Sequence, residues 1–316
     1  MRTTSRWLIG WLVTALVALA TTGLARADLV VHEWGTFTTH HGLDGEPYVW
    51  QPLDLGSDLP KFVNRVKTGD TPKNTHPGTV RMETPVLYFY GDRQTVSVDV
   101  QFPSGIISEW YPRARHARSA IRWPRVTVLP GATAPLRRES VPSHYYAARE
   151  TDSAMLRSRT NRGTQHEKFL FYRGVGTFGT PVRIRSDGNL VELAIVGPDP
   201  VADVFLFERT GDAVGVRAVD VAAGAATVER PVPSSDAIAT LEAALHASLV
   251  GEGLYPREAQ AMLDTWRDTW SEPGLRALYI VPRRLTDEVL PLAIEPAPSS
   301  VVRVLVGRAE FMPPDA

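Results

Sequence analysis

The 316-residue chain contains no cysteine. Disulfides are therefore excluded, although an oxidising compartment would permit them. A thiolate metal centre and a lipid-modified cysteine are excluded by the same absence. Lysine is scarce, at four of the 34 basic residues, which reads as a usage bias before any function. Familiar hydrolase and nucleotide signatures are missing too. There is no G-x-S-x-G, P-loop or calcium-loop pattern. H-E-x-x-H is also absent, because His32-Glu33 is followed by Trp34-Gly35-Thr36 and His166-Glu167 by Lys168-Phe169-Leu170. A metal or acid–base site must then be assembled from distant segments. Cofactors are left unknown.

Only one apolar run stands out. Arg2 and Arg6 precede a stretch from Trp7 to Ala20, and Ala25-Arg26-Ala27 follows. A basic start, a short apolar run and small residues at −3 and −1 form the export signature. The run has 14 residues, whereas a spanning helix needs about 20. The sequence thus predicts a removable signal peptide over residues 1–27, with a periplasmic or extracellular mature chain at 28–316 and no membrane anchor after cleavage. Removing the leader takes away three arginines and leaves 31 basic against 35 acidic side chains, a net charge of −4. Such a balance exerts no global pull on nucleic acid. The mature length suffices for a large core.

Most of the periodicity is strand-like. Asp28–Thr39, Pro85–Tyr90, Thr95–Phe102, Arg125–Leu129, Lys168–Tyr172, Val182–Arg185, Leu190–Val196, Asp203–Glu208 and Ala213–Val219 are rich in β-branched and aromatic residues. Ser186-Asp187-Gly188-Asn189 marks a hairpin turn. After Pro233 the period changes. Ile238, Leu241, Leu245 and Leu249 predict an amphipathic helix. Pro256 opens a second helix, whose stripe is Ala259, Met262, Leu263, Trp266 and Trp270. Strands at Arg276–Val281 and Val301–Gly307 follow. The expectation is one mature α+β domain, mostly antiparallel sheet, with a helical hairpin at about 234–271. Tyr111–Gln165, rich in proline and arginine, predicts long loops with one short helix.

Several strings occur together: His32-Glu33-Trp34-Gly35-Thr36-Phe37-Thr38, Met82-Glu83-Thr84-Pro85-Val86-Leu87-Tyr88-Phe89-Tyr90, Ser108-Glu109-Trp110-Tyr111-Pro112 and Glu167-Lys168-Phe169-Leu170-Phe171-Tyr172-Arg173-Gly174. Ala261-Met262-Leu263-Asp264-Thr265-Trp266 and Val306-Gly307-Arg308-Ala309-Glu310 join them. Through these strings the chain resembles an uncharacterised family of exported bacterial proteins with an HEWGTFT motif just after the signal peptide. The resemblance implies a shared fold and export, and carries no activity.

Gly174-Val175-Gly176-Thr177-Phe178-Gly179 fits G-x-G-x-x-G, but a strand-like segment follows where dinucleotide binding needs a helix. A turn or bulge is the plainer reading. His32 and Glu33 face opposite sides of a strand. His32 and His40 lie eight residues apart, too far to share a metal on an extended strand. His166 begins a strand and is placed to meet His32 across a sheet. The plainer reading is that these histidines cap, pack or face water. Glu33, Glu83, Glu109 and Glu167 lie among aromatics, where burial suits a carboxyl to general-acid work. Buried ion pairs are the plainer alternative.

Between Tyr111 and Arg138 stand seven arginines and no acid. Arg113, Arg115, Arg118, Arg122, Arg125 and the neighbouring Trp123 are the candidates for binding an anionic small molecule or acidic glycan by bidentate pairing and stacking. The alternative is a solvated loop. Two functions follow. One is an exported binding or envelope-associated protein with an anionic ligand. The other is an extracytoplasmic hydrolase or metal-dependent enzyme, with His32, Glu33, Glu109, His166 and Glu167 as ligands or acid–base groups and Arg173 stabilising negative charge.

Overall fold

A computed structural model of the chain describes residues 28–51, 59–66, 77–222 and 224–313. The expected leader, with its Ala25-Arg26-Ala27 site, lies outside the described residues. No helix among the described residues is long and apolar enough to cross a membrane.

The first strands are β1 (Leu29–His41), β2 (Asn64–Arg65), β3 (Val80–Gly91), β4 (Gln94–Gln101), β5 (Gly105–Tyr111) and β6 (Arg115–Ala117). They continue as β7 (Ala120–Leu129), β8 (Met155–Thr160), β9 (Gly163–Glu167), β10 (Leu170–Gly176), β11 (Val182–Asp187) and β12 (Leu190–Ile195). The last are β13 (Val204–Thr210), β14 (Ala213–Val219), β15 (Ala225–Glu229), β16 (Gly274–Ile280), β17 (Leu292–Glu295) and β18 (Ser300–Phe311). Helices α1 (Ala237–Gly251), α2 (Pro256–Trp270) and α3 (Arg283–Val289) join them, with a short 3-10 helix over His144–Arg149. The chain is thus α+β and mostly antiparallel sheet.

Nine strands form one sheet in the order β14-β13-β16-β18-β1-β3-β10-β5-β2. Its centre is β1, which pairs with β18 in parallel and with β3 antiparallel. Both faces of β1 are buried, so its histidines, threonines and Glu33 must find partners inside the protein. Val31 and Phe37 enter the core on one face, and Trp34 enters the core on the other. On the first face lie a six-stranded sheet (β17-β4-β7-β8-β9, with β6 beside β7) and a three-stranded one (β11-β12-β15). They supply Val98, Trp123, Val126, Ile184 and Leu193 to that core. The second face is covered by Leu241, Leu245 and Leu249 of α1 and by Met262, Leu263, Trp266 and Trp270 of α2. Trp266 and Trp270 stack with ring centroids 6.4 Å apart, inside the core.

Two sequence expectations need correction. Tyr111–Gln165 holds the expected short helix, at His144–Arg149, and the expected strand at Arg125–Leu129, but it is not otherwise mainly loop, because it also holds β6, the first half of β7, β8 and the start of β9. In β7, Ile121, Trp123, Val126 and Val128 point inward while Arg122 and Arg125 face out. Pro124-Arg125 adds a bulge opposite Val96–Val98 that shifts this alternation, and an edge or bulge is where a sheet tolerates proline. Lys168–Tyr172 is not one strand either. Lys168-Phe169 breaks it, so Glu167 ends β9 of the six-stranded sheet and Leu170 opens β10 of the nine-stranded one.

Candidate functional site

Beyond the β8–β9 end of the six-stranded sheet, the loop after β5, the segment around Pro135 and the β8–β9 turn meet. They enclose a pocket of about 180 Å³ lined by Tyr111, Arg113, Pro135, Arg137, Arg162, Thr164, Gln165 and His166. Two local features shape it. The Arg113 backbone N–H donates to Gln165 Oε1 at 2.8 Å, and Arg113 Nη1 donates to the Arg162 carbonyl at 3.3 Å. Thr160-Asn161-Arg162-Gly163 turns tightly, with Gly163 at φ 110°, a conformation that L side chains rarely adopt.

The pocket's charge is one-sided. Among the described residues no carboxylate lines it, and Arg113, Arg137 and Arg162 make no ion pair. The nearest buried acid, Glu167, is already engaged. Arg149 clamps it with Nε at 3.0 Å and Nη2 at 2.7 Å, and the Tyr145 hydroxyl donates at 3.0 Å. Three guanidinium groups and an imidazole therefore converge with no counter-charge among the described residues. Guanidinium forks suit phosphate, sulfate or carboxylate, and so does this cluster.

The other members of the arginine run lie outside the pocket. Arg115 and Arg122 are register partners on β6 and β7, and both are exposed. Arg118 and Arg125 are exposed as well. Arg122 reaches Asp99 at 3.3 Å. Trp123 is a correction: it is fully buried, and its indole N–H donates to the Pro112 carbonyl at 2.9 Å, so it cannot stack on a ligand. Its strand points it into the core, away from the arginines on either side. Arg162 and Gln165 escaped the sequence reading. The T-N-R-G turn between two short strands was the available signal.

The six proposed catalytic residues separate into five places. His32 faces the helices, where its Nδ1 meets Glu258 Oε2 at 2.7 Å. Glu33 faces the opposite core and pairs with Arg303 Nε at 2.5 Å. His166 lines the arginine pocket, and Glu167 points inward to Arg149. Hence His166 does not meet His32: they stand on different sheets. Only Glu109 and Arg173 come together, opposite one another in register and 3.9 Å apart. No group of three or more potential ligands for a metal occurs among the described residues.

Glu109 and Arg173 belong to a polar belt across the nine-stranded sheet. Cross-strand register links Arg276 to Glu310, Glu310 to His40, Arg308 to Thr38, Thr38 to Arg81, Thr36 to Glu83, Arg173 to Glu109 and Glu109 to Arg65. Arg276 Nε lies 2.8 Å from Glu310, and Arg81 Nε 3.1 Å from Glu83. The Thr38 hydroxyl donates to Glu83 at 2.9 Å. A bulge at Gly174 lets β10 follow this belt. A Cβ there would lie 2.2 Å from the Ile106 carbonyl, so the glycine-rich string serves close strand packing.

His40 ends the belt against Trp50, with ring centroids 4.2 Å apart. Burial pushes its imidazole down to about 4; Glu310 opposes this and Arg308 adds to it. An unfolded chain takes up that proton near pH 6.5, while the native state refuses it until about 4. The unfolded state therefore binds more protons in that window, and stability falls as pH drops through it. His40→Gln is expected to flatten the fall. Urea titrations of both proteins between pH 7 and 4 check this, and parallel curves would refute it.

Comparison with known proteins leaves the site to its own chemistry: no protein-family model and no curated protein sequence matches the chain.

Proposed function

We propose that the chain is an exported binding or envelope-associated protein whose arginine pocket holds an anionic group. One observation carries this reading. Arg113, Arg137, Arg162 and His166 surround about 180 Å³ with no carboxylate among the described residues to neutralise them. Native proteins rarely converge like charges without a counter-charge, because repulsion opposes folding and desolvation weakens each cation. A bound phosphate, sulfate or carboxylate removes both penalties. On this reading the helical hairpin over about 234–271 is a brace behind the nine-stranded sheet, and the ligand meets the opposite, six-stranded side.

The acid–base reading has less to stand on. Its residues occupy separate places, and most are already engaged in buried pairs.

Calorimetric titration with phosphate, sulfate and a hexuronate at low ionic strength tests the proposal. Binding is expected, weakening as salt screens the charges. Arg137 and Arg162 are exposed, so replacing either leaves the core intact. A hydrogen bond to a charged group contributes about 1.5–3 kcal/mol, so Arg137→Ala is expected to weaken binding by roughly ten- to hundredfold. Absence of binding for all three anions at low salt sinks the proposal.

A further inference from the structure

The pocket is one end of a larger basic surface. The outer face of the six-stranded sheet carries arginines on three neighbouring strands, and the pocket opens at its edge. Register sets Arg157 between Thr127 and His166, and Arg159 opposite Thr164. Arg125 directly precedes Val126 and Arg159 directly follows its antiparallel partner Ser158, so the two arginines flank the end of that pairing. Arg115 and Arg122 face one another at the far end. Thr164 and His166 line the pocket, so the arginine track runs into it without a break.

The charge on this track is poorly compensated. Arg115, Arg125, Arg157 and Arg159 make no ion pair among the described residues. Arg122 has Asp99, but the guanidinium is exposed and the carboxylate partly so, and pairs open to solvent contribute little. Of the acids of this sheet, Asp99 and Glu295 sit on β4 and β17, away from β8, and Glu167 at the end of β9 points inward to Arg149. At strand spacings of about 4.8 Å and rises of about 3.3 Å per residue, the track from Arg122 to His166 spans roughly 20 Å. No single phosphate, sulfate or sugar acid covers that distance.

Resting on the anion-pocket reading, we infer that the ligand is a polyanionic glycan: its end enters the pocket, and its following residues lie over Arg157, Arg159 and Arg125 toward Arg122 and Arg115. The absence of exposed aromatics on the track favours a glycan over single-stranded nucleic acid. Strand-tolerant nucleic-acid binding relies on aromatic platforms. Here Trp123 is buried, and Trp110 is covered by the stacked ring of His116 at 4.1 Å. Thr127 and Thr164 stand between the arginines and offer hydroxyls to sugar hydroxyls.

The test uses the whole chain, a hexuronate monosaccharide, its oligomers of increasing length, sulfated oligomers and a single-stranded oligonucleotide of matched charge. Affinity for one or both glycan series is expected to rise with length, and the arm that rises identifies the anionic group. The double variant Arg125→Ser/Arg159→Ser alters only exposed positions. It is expected to leave monosaccharide binding unchanged and to weaken oligomer binding about tenfold or more. Arg137→Ala is expected to weaken both. A monosaccharide that binds as tightly as its oligomers overturns this inference while leaving the anion pocket standing. Oligonucleotide binding equal to that of the oligomers overturns it as well. Failure of every anion to bind removes the pocket reading itself.

Discussion

Replacing Glu33 with alanine is expected to destabilise the protein by roughly 3–5 kcal/mol, the cost of stranding one member of a buried ion pair. Glu33 is fully buried at the centre of the nine-stranded sheet. It accepts from Arg303 Nε at 2.5 Å and from the Tyr172 hydroxyl at 2.5 Å. Arg303 is 4% exposed, and its remaining carboxylate partner is the half-exposed Asp287 at 2.8 Å. Removing Glu33 leaves a guanidinium group and a phenol facing an apolar core. Domains have net stabilities of about 5–15 kcal/mol, so this one change consumes a large share. The same pair replaced as a unit behaves differently. Glu33→Leu with Arg303→Met and Tyr172→Phe removes every donor and acceptor together, and such replacements are often neutral or stabilising. Urea unfolding is expected to rank the triple variant well above Glu33→Ala. A single variant within about 0.5 kcal/mol of the parent, the usual range of surface changes, would show the pair to be dispensable.

How much of this was legible in the sequence depends on whether local pattern or remote pairing decided the outcome. The strand at Leu29–His41 was plain, because β-branched and aromatic residues run almost unbroken there. The helices at Ala237–Gly251 and Pro256–Trp270 were plain as well, since their leucine and tryptophan spacing repeats at helical steps. The second half of Ala120–Leu129 read as strand, but its first half, 120–124, was obscured. Its arginines and Pro124 look like loop composition, and the bulge shifts its alternation. The opposed faces of His32 and Glu33 followed from strand geometry alone. Their partners did not. Glu258 lies 226 residues from His32, and Arg303 lies 270 from Glu33. No periodicity links residues so distant. Parallel pairing of β1 with β18 creates the second contact, and docking of α2 creates the first. The arginine excess was visible as composition, but composition could not separate Arg113, which lines the pocket, from Trp123, which is core.

Glu258→Ala is expected to loosen the helical face, at a cost near that of the Glu33 change. Glu258 opens α2 and is fully buried. Its Oε2 accepts from the Tyr255 backbone N–H at 2.8 Å, which closes the first turn of the helix as a capping box does. The same oxygen meets His32 Nδ1 at 2.7 Å, and Oε1 accepts from the Tyr90 hydroxyl at 2.7 Å. A carboxylate oxygen only accepts, so the imidazole Nδ1 carries the proton. Burial, with the neighbouring carboxylate, pushes the Tyr90 phenol well up, which keeps it a donor. One side chain thus starts α2 and pins it to β1 and β3. Alanine leaves three buried or half-buried donors unsatisfied, at roughly 1–3 kcal/mol for each buried one. Glutamine is expected to cost much less. Its oxygen can keep the bonds from Tyr255 and His32, while its amide donates to the Tyr90 hydroxyl, which can turn to accept. The order parent, Glu258→Gln, Glu258→Ala should appear in urea midpoints, with amide exchange in α2 accelerating most in the alanine variant. Equal losses for glutamine and alanine would mean that charge alone fixes the helix to the sheet, and that the three directed hydrogen bonds do not.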